Sequence, residues 1–346
     1  MTNNNLLNSQ KNIRNNDLLH VFLITSPVVS LISSMIIEKN KLHKENIFTV
    51  SLRRTNLNLF SSKKIYLKTN RISILIEKIL FISINANKIL RLIKKSNKKF
   101  VVYTPWAFRD LKFLISNNKC KGYFYVEEGQ LAYLNHNTYN YYKLSLIEKI
   151  RMNFLNRIPL DLRLRDDAEA FFCINKNAFK NTPNNKKIIL NDFDTLKKKY
   201  KQKLKGISDI GITCASRRVK DKNLTKMLAK LISNMPNGGI IKAHPSFFAT
   251  EKIKQSLISA FKKLERNNIQ LSTNDTIIEI EMLYEKKNLI GPPSSLSIYT
   301  EIFGSTYKPI KLYWQSEKIS LNRKKYELKY WKNKKYFNEK NLAILT

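Results

Sequence analysis

The fold of this chain is decided by residues 18–37, which read LLHVFLITSPVVSLISSMII. The stretch is long enough to span a membrane, but a histidine, a proline and five hydroxyl side chains interrupt it. We interpret it as a buried strand, a turn at Ser26-Pro27 and then an amphipathic helix. A strand followed directly by a helix is typical of an α/β unit.

The same alternation continues along the chain. Short apolar runs predict further strands over residues 46–52, 100–104, 122–128, 170–175, 209–215, 238–244, 269–272, 288–295 and 309–314. Helical patterns lie between them at residues 72–95, 106–116, 223–234, 249–267, 276–284 and 296–303. We therefore predict an α/β fold with two Rossmann-like domains and a substrate cleft between them, and ligands at the carboxyl ends of the strands.

Composition divides the chain into four segments. Residues 1–16 are polar and rich in Asn, which predicts a flexible tail. Residues 17–190 form the first predicted domain and residues 200–320 the second, with the boundary placed near 185–205, where the composition changes most. Residues 321–346 are basic, and we expect them to pack back on the first domain.

The chain is strongly basic, with 63 Lys and Arg against 26 Asp and Glu among its 346 residues, a formal net charge of +37. Such a charge favours anionic partners, namely nucleic acid, an anionic membrane surface, or acidic sugars and nucleotides. However, Lys outnumbers Arg and the basic residues are scattered, whereas nucleic-acid-binding proteins more often cluster them and use Arg. We expect no nucleic-acid partner.

The cysteines and glycines exclude several classes of function. Three cysteines at no metal-ligand spacing, Cys120, Cys173 and Cys214, indicate a reducing compartment. We therefore expect a cytoplasmic protein, with peripheral contact with the anionic inner membrane as a further expectation. All eight glycines lie at or after Gly122, so the first strand and helix carry no G-x-G-x-x-G, and the chain has no G-x-x-x-x-G-K-[ST]. Dinucleotide redox chemistry and P-loop phosphoryl transfer are therefore disfavoured.

Two carboxylates end the predicted strand 122–128, in Glu127-Glu128-Gly129. Neighbouring residues of a strand point to opposite faces, so at most one carboxylate faces inward. A carboxylate at a strand tip can act as a general base if its surroundings raise its pKa. The alternative is a solvated acidic turn.

A histidine followed by proline ends the predicted strand 238–244, in Lys242-Ala243-His244-Pro245. Proline favours an extended backbone at the residue before it, which holds His244 at the mouth of the strand. From there the histidine can donate to an anionic leaving group, with Lys242 two residues back on the same face. The alternative is a structural histidine.

Two serines link the predicted strand 288–295 to the next helix, in Gly291-Pro292-Pro293-Ser294-Ser295-Leu296. Hydroxyl groups and backbone N–H groups at the start of a helix can bind phosphate. Ser294 or Ser295 can equally cap the helix. The two interpretations are compatible.

Taken together, YVEEGQ, IKAHPSF and GPPSSLS resemble the acidic-acidic-Gly, His-Pro and Ser-Ser/Thr motifs of bacterial sialyltransferases and polysialyltransferases, in the same order. The Ser26-Pro27 turn is also similar to the first turn of those enzymes. IIEIEML, residues 277–283, resembles the family's Glu-bearing helix, which implies a place for Glu281 near the nucleotide ribose. The helix lacks the proline often found before that glutamate, so Glu279 competes for the role. The Glu-Glu pair departs from the family, where Asp is frequent at the second place.

The resemblance implies a GT-B type glycosyltransferase that moves sialic acid from CMP-sialic acid to a sugar hydroxyl of lipooligosaccharide or capsule, with inversion. The first domain would bind the glycan acceptor and the second the nucleotide sugar. The implied site residues are Glu128 as base and His244 as partner of the leaving phosphate; Lys242, Glu281, Ser294 and Ser295 for the nucleotide sugar; and Glu127, Glu279 and Ser26 as secondary candidates. No cofactor or metal is implied, because histidine and hydroxyl donors replace the cation, and Asp192-Phe193-Asp194 lies in the expected linker.

Two other functions stay open. The first is another GT-B transferase of surface polysaccharide synthesis, which uses a Kdo or polyol-phosphate donor, and the bound nucleotide would decide between these. The second is a basic nucleic-acid-binding protein, which would bind random duplex with a steep salt dependence.

Overall fold

A computed structural model describes the chain over residues 17–51, 63–66, 84–106, 109–133, 168–179, 182–216, 219, 223–264, 266, 268–272, 276–292 and 294–310. The chain forms two compact units, Met1–Leu196 and Lys197–Thr346. Each unit contains one parallel β-sheet. The expected tail 1–16 and basic segment 321–346 lie outside the described residues.

Among the described residues, seven parallel strands form the sheet of the first unit. They are β1 (Leu18–Ile24), β2 (Ile47–Ser51), β3 (Lys63–Tyr66), β4 (Lys99–Thr104), β5 (Cys120–Val126), β6 (Ala170–Cys173) and β7 (Lys187–Ile189). Their order across the sheet is β3-β2-β1-β4-β5-β6-β7. The strands are therefore added toward one edge from β1 to β3 and toward the other edge from β4 to β7. Doubly wound folds bind ligands at the point where this order reverses, here between β1 and β4.

Five described helices accompany these strands. They are α1 (Pro27–Lys39), α2 (Ile84–Lys95), α3 (Arg109–Ile115), α4 (Gly129–Ala132) and α5 (Phe193–Lys199), the last at the division between the units. The helix expected at residues 72–95 is described only from Ile84 onward.

Helix α1 differs from the amphipathic helix that the sequence predicts. Every residue from Val28 to Ile37 is buried, including Ser30, Ser33 and Ser34. The small serine side chains therefore line buried faces, and the polar residue type does not mark a solvent-facing side. Within the described part of the chain, no helix is long and apolar enough to cross a membrane.

Aromatic side chains form the core of the first sheet. Phe22 on β1 stacks on Tyr103 on β4, with ring centroids 4.2 Å apart, and Tyr103 stacks on Phe124 on β5 at 4.9 Å. Phe172 on β6 continues the row, 5.9 Å from Phe124. Such cross-strand aromatic pairs stabilise a sheet beyond their buried area. The row fixes the four central strands whose carboxyl ends carry the candidate residues.

In the described part of the second unit, five parallel strands form the sheet. They are β8 (Asp209–Ile212), β9 (Gly239–Lys242), β10 (Ile269–Ser272), β11 (Asn288–Gly291) and β12 (Thr306–Pro309), in the order β10-β9-β8-β11-β12. The described helices are α6 (Leu224–Ser233), α7 (Glu251–Lys262), α8 (Ile278–Tyr284) and α9 (Leu296–Ile302). In this sheet the order in which strands are added reverses between β8 and β11. The predicted α/β fold with two Rossmann-like domains is therefore confirmed at the level of each unit.

Several strands end earlier than predicted, and two were not predicted. The strand expected at 288–295 ends at Gly291, because the prolines that follow cannot donate to the ladder. β3 and β7 are short, Lys-bearing strands beside a sheet edge, so their apolar signal is weak. β12 begins three residues before the strand expected at 309–314, and its exposure alternates between exposed and half-buried. Residues 311–314 lie outside the described residues.

Candidate active site

Glu127 anchors the end of β5 to neighbouring segments. Its side chain is fully buried, Tyr133 Oη donates to Oε1 at 2.6 Å, and Ile174 N donates to Oε2 at 2.8 Å. Ile174 directly follows β6, so the carboxylate ties the ends of β5 and β6 together. A buried carboxylate needs such donors. Glu127 therefore has a structural role.

Glu128 is directed to the other side, toward β1. Thr25 Oγ1 donates to Glu128 Oε1 at 2.7 Å, and Glu128 is half-buried. Thr25 follows β1, which lies two strands away from β5 across β4. The two adjacent carboxylates therefore diverge, as alternation along a strand requires.

Ser26 has a local structural role in this turn. It is the N-cap of α1, and its Oγ accepts from Val29 N at 3.4 Å. Pro27 follows at the first helical position, where its missing N–H costs nothing. The pair begins α1 directly after Thr25 and so fixes where Thr25 stands.

His244 stands at the carboxyl end of the second sheet, two residues after β9. Its backbone N donates to Thr213 Oγ1 at 2.8 Å, and Thr213 follows β8, the neighbouring strand. The side chain is exposed and caps the single turn of 3₁₀ helix at Pro245–Phe248. The proline after the histidine therefore begins a turn and leaves the imidazole at the strand mouth.

The hydrogen bonds of the His244 ring determine its tautomer. Ser246 N lies 3.1 Å from His244 Nδ1, and Ser246 Oγ lies 2.9 Å from the same atom. A backbone N–H can only donate, so Nδ1 must accept. The neutral ring then carries its proton on Nε2, and Nε2–H is a hydrogen-bond donor.

Ser246 is itself fixed from the end of β8. Ser216 N donates to Ser246 Oγ at 2.8 Å, and Ser216 Oγ donates to Ser246 O at 3.1 Å. With the bond from His244 N to Thr213, three hydrogen bonds join the segments that follow β8 and β9. They hold the imidazole in one orientation.

Glu279 is a buried carboxyl beside Lys242. It lies on α8 and is 8% exposed. Burial raises the pKa of Glu279 from its ordinary value of 4.5 to about 7, and its own backbone N–H and the charge of Lys242 offset this only in part. Lys242 ends β9, two residues before His244, so Glu279 is near the His-Pro motif.

Glu281 occupies a different environment from Glu279. Its carboxylate is 1% exposed and accepts Lys203 N at 3.0 Å and Leu204 N at 2.8 Å. Residues 203–204 belong to the segment that precedes β8. Lys287, fully buried, donates its Nζ to Leu204 O at 2.6 Å and Ile207 O at 2.7 Å in the same segment. Glu281 therefore anchors the entry into the second sheet.

Ser294 and Ser295 precede helix α9 without capping it by their side chains. Ser295 is the N-cap residue and makes no side-chain cap bond, and Ser294 Oγ, which is buried, has no hydrogen-bond partner among the described residues. Ser297 Oγ instead donates to Ser294 O at 2.7 Å. At the preceding Gly291, a Cβ atom would lie 2.6 Å from Ile212 O, so only glycine lets β11 lie so close to the end of β8.

Two of the three cysteines, Cys120 and Cys173, are unsuited to act as nucleophiles. Burial raises the pKa of Cys173 to about 12, with a contribution from the Glu127 charge, and burial raises the pKa of Cys120 to about 11. Both therefore stay protonated at neutral pH, and the thiolate is the reactive form.

The acidic groups that the structure describes do not assemble a metal centre. Across those residues, no group of three or more His, Cys, Asp or Glu side chains could hold a metal ion. Asp192, from the D-x-D sequence, accepts Thr195 N at 3.2 Å and Thr195 Oγ1 at 2.6 Å, which is the pattern of a cap on helix α5.

Several residues of this arrangement have weak signals in the sequence. Thr25, Thr213, Ser216 and Ser246 are common hydroxyl residues with no distinctive spacing. Their one shared signal is position, because each lies near the carboxyl end of a predicted strand or next to a motif. Such residues become candidates only when the sheet order shows which strand ends are neighbours.

No protein-family model matches the chain, and no curated protein matches it. Solved structures resemble it in fold. A UDP-N-acetylglucosamine 2-epimerase from Neisseria meningitidis bound to UDP-GlcNAc is 12% identical, over 85% of this chain and 83% of that chain, with a TM-score of 0.47. A glycosyltransferase from Rickettsia africae is 14% identical, over 89% and 83%, with a TM-score of 0.37. A family 9 glycosyl transferase from Veillonella parvula is 11% identical, over 94% and 93%, with a TM-score of 0.37.

Proposed function

We propose that the chain is an inverting glycosyltransferase that moves sialic acid from CMP-sialic acid to a hydroxyl group of a surface glycan. One observation carries the proposal: Ser246 N donates to His244 Nδ1 at the carboxyl end of the second sheet. The ring therefore offers Nε2–H as a donor where Rossmann-like units bind nucleotides. A donor at that place suits the phosphate of a departing nucleotide.

Glu128 is the general base in this proposal. The acceptor oxygen forms a bond to the anomeric carbon of sialic acid while the bond from that carbon to the CMP phosphate oxygen breaks, with inversion. The proton of the acceptor hydroxyl passes to the Glu128 carboxylate. Glu127 cannot share this task, because Tyr133 and Ile174 already hold its two oxygens in the core.

His244 supports departure of CMP as a hydrogen-bond donor. In the tautomer set by Ser246, loss of the Nε2 proton would turn a neutral imidazole into an anion, which is unfavourable near neutral pH. The ring therefore stabilises the developing charge on the phosphate without transferring a proton. In this proposal His244 is therefore a hydrogen-bond donor and not a general acid.

The remaining groups of the second unit would hold the nucleotide. Lys242 supplies a positive charge beside His244, and Ser294 supplies a hydroxyl that has no partner within the described residues; Ser295 lies next to it. For the ribose we assign Glu279 in place of Glu281, because the Glu281 carboxylate is engaged by Lys203 N and Leu204 N. No metal enters the proposal, because Lys242, His244 and the serine hydroxyls are assigned to the phosphate.

Donor identity is tested by incubating the protein with CMP-sialic acid, CMP-Kdo, a CDP-polyol or UDP-GlcNAc and a panel of labelled galactosides and sialosides. The expected result is a mass increase of whole sialic acid residues with CMP-sialic acid alone. Thermal shifts with CMP, CDP, UDP and GDP give an independent measure, and CMP is expected to stabilise most. Transfer from CMP-Kdo or UDP-GlcNAc would refute the sialic acid assignment and keep the glycosyltransferase. Transfer from the CDP-polyol would refute both, because that donor supplies a polyol phosphate and not a sugar.

The base is tested in the same assay with Glu128→Gln. We expect turnover to fall by ~10²-fold or more, as is usual for loss of an acid–base group. Glu127→Gln is unsuitable as a control because the Glu127 carboxylate is buried and hydrogen-bonded. The control is Glu45→Gln, because Glu45 is exposed and lies at the amino end of β2. Near-normal turnover in Glu128→Gln, with an unchanged circular dichroism spectrum, would remove the role.

A further inference from the structure

The Glu128 carboxylate accepts a hydrogen bond from Thr25, which directly follows another strand, β1. Thr25 is 2% exposed, and its Oγ1 donates to Glu128 Oε1 at 2.7 Å. The bond joins the ends of β1 and β5, which are separated in the sheet by β4. It therefore reaches across the tip of a strand and does not follow from ordinary strand pairing.

The tip of β4 makes a separate interaction. Thr104, the last residue of β4, is fully buried and donates its Oγ1 to Trp106 O at 2.8 Å. The Thr25 hydroxyl thus donates to a carboxylate, whereas the Thr104 hydroxyl donates to a backbone carbonyl. The two residues are alike in type, burial and place, and they form a matched pair for experiment.

Threonine 25 is well suited to hold a carboxylate in one orientation. Its branched Cβ restricts the first side-chain torsion, and its backbone is held between β1 and the N-cap residue Ser26. A hydrogen bond to a charged oxygen is shorter and stronger than one between neutral groups. Such a bond also favours the ionised form of the carboxyl group.

We propose that Thr25 is the positioning residue of the general base, which keeps the Glu128 carboxylate ionised and aimed at the acceptor hydroxyl. This inference rests on the proposed function of Glu128. The hydroxyl of Thr25 takes no proton in the reaction and acts only through Glu128. The opposite neighbour, Glu127, is turned toward Tyr133 and Ile174 and does not compete for this bond.

The kinetic test compares Thr25→Val, which removes the donor at nearly constant shape, with Thr25→Ser, which keeps it. For Thr25→Val we expect kcat to fall roughly tenfold through misalignment of the base, with the KM for the donor unchanged. The acid limb of kcat/KM should move up by about one pH unit, the scale of one hydrogen bond to a charged group. Thr25→Ser should restore both values, and Thr104→Val should leave the acid limb in place.

A second test needs no turnover. Carbon-13 NMR of the protein labelled at the glutamate carboxyl carbons reports the titration of Glu128, and the signal is assigned as the one missing in Glu128→Gln. In Thr25→Val its midpoint should rise by about one pH unit relative to wild type and Thr104→Val. If Thr25→Val does not fold, Thr25→Ala replaces it with the same expected shift.

The outcomes separate the two proposals. A Glu128 midpoint that is the same in wild type and Thr25→Val would overturn the role of Thr25, whatever the activity of the protein. A shifted midpoint together with full activity of Glu128→Gln would confirm the contact, overturn Glu128 as base and so overturn Thr25 as its positioning residue. A shifted midpoint, a shifted acid limb and an inactive Glu128→Gln would support both.

Discussion

The buried carboxyl of Glu279 should make the second unit less stable as the pH rises. Its pKa lies near 7 in the folded chain, against an ordinary value of 4.5, because burial disfavours the charged form. One pKa unit corresponds to about 1.4 kcal/mol, so the full difference amounts to about 3 kcal/mol. This is an upper value, because water entry and local relaxation reduce such penalties in real proteins.

The sign follows from where the proton is bound. Below pH 4.5 the carboxyl is protonated in the folded and the unfolded chain, and its favourable contribution is fully present. Between pH 4.5 and about 7 only the unfolded chain loses the proton, so the free energy of unfolding falls as the pH rises. Above pH 7 the group is ionised in both states and the loss is complete. Replacement by Gln removes the titrating group and with it this slope.

The assay is urea unfolding of wild type and Glu279→Gln at a series of pH values from 4.5 to 8, followed by a probe in the second unit. We expect the free energy of unfolding of Glu279→Gln relative to wild type to increase by roughly 2–3 kcal/mol across this range. Glu251→Gln is the control, because Glu251 is exposed and Gln255 and Lys254 lower its pKa. A difference between wild type and Glu279→Gln that stays constant from pH 4.5 to 8 would refute the reasoning.

Three further predictions concern the second unit and the metal. The amide nitrogen of Gln can reach the position of the His244 Nε2 donor, and that of Asn cannot. We therefore expect His244→Gln to keep more activity than His244→Asn in steady-state kinetics. Equal losses of activity would contradict the assigned tautomer. Glu281→Gln should lower the free energy of unfolding of the second unit by roughly 2–4 kcal/mol, because Lys203 N and Leu204 N lose a charged acceptor. The KM for the donor should stay within about twofold of wild type. A large rise in KM at unchanged stability would instead assign Glu281 to the ribose. EDTA should leave the rate unchanged, and inhibition that Mg²⁺ or Mn²⁺ reverses would contradict the proposed assignment of the phosphate to protein donors.

The sequence predicts the class of the fold well, because apolar runs alternate with helical patterns in both halves. The central strands β1, β4 and β5 carry runs such as FVVYT and YFYV that are buried on both faces, so their signal is strong. The strands beside the sheet edges are harder to predict. β7 is half-buried or exposed, and β12 alternates in exposure, so neither has a continuous apolar run.

The site was predictable as a set of strand ends but not as a set of contacts. The motifs at Glu127-Glu128, His244-Pro245 and Ser294-Ser295 all follow described strands, as the sequence indicates. Which strand ends are neighbours depends on the sheet order, which the sequence does not state. The bond from Thr25 to Glu128 and the bond from His244 N to Thr213 both depend on that order. The substrate cleft between the two domains, which the sequence predicts, stays a prediction.

Two pairs of glutamates have surroundings in the structure that the sequence does not distinguish. Glu127 and Glu128 are adjacent at the end of a strand, and Glu279 and Glu281 are two apart on α8, so the members of each pair point in different directions. In each pair one carboxylate accepts backbone N–H groups from a segment distant in sequence: Glu127 from Ile174, and Glu281 from Lys203 and Leu204.

The other member of each pair interacts with a side chain near the carboxyl end of its sheet, through a hydrogen bond or through charge. Glu128 accepts from Thr25 Oγ1, and Glu279 interacts with the charge of Lys242. A carboxylate held by distant backbone groups cannot turn to a ligand without leaving buried N–H groups without acceptors, which costs about 1–3 kcal/mol for each group. Glu127 and Glu281 are therefore held in structural contacts, which is why our proposal assigns the base to Glu128 and the ribose to Glu279.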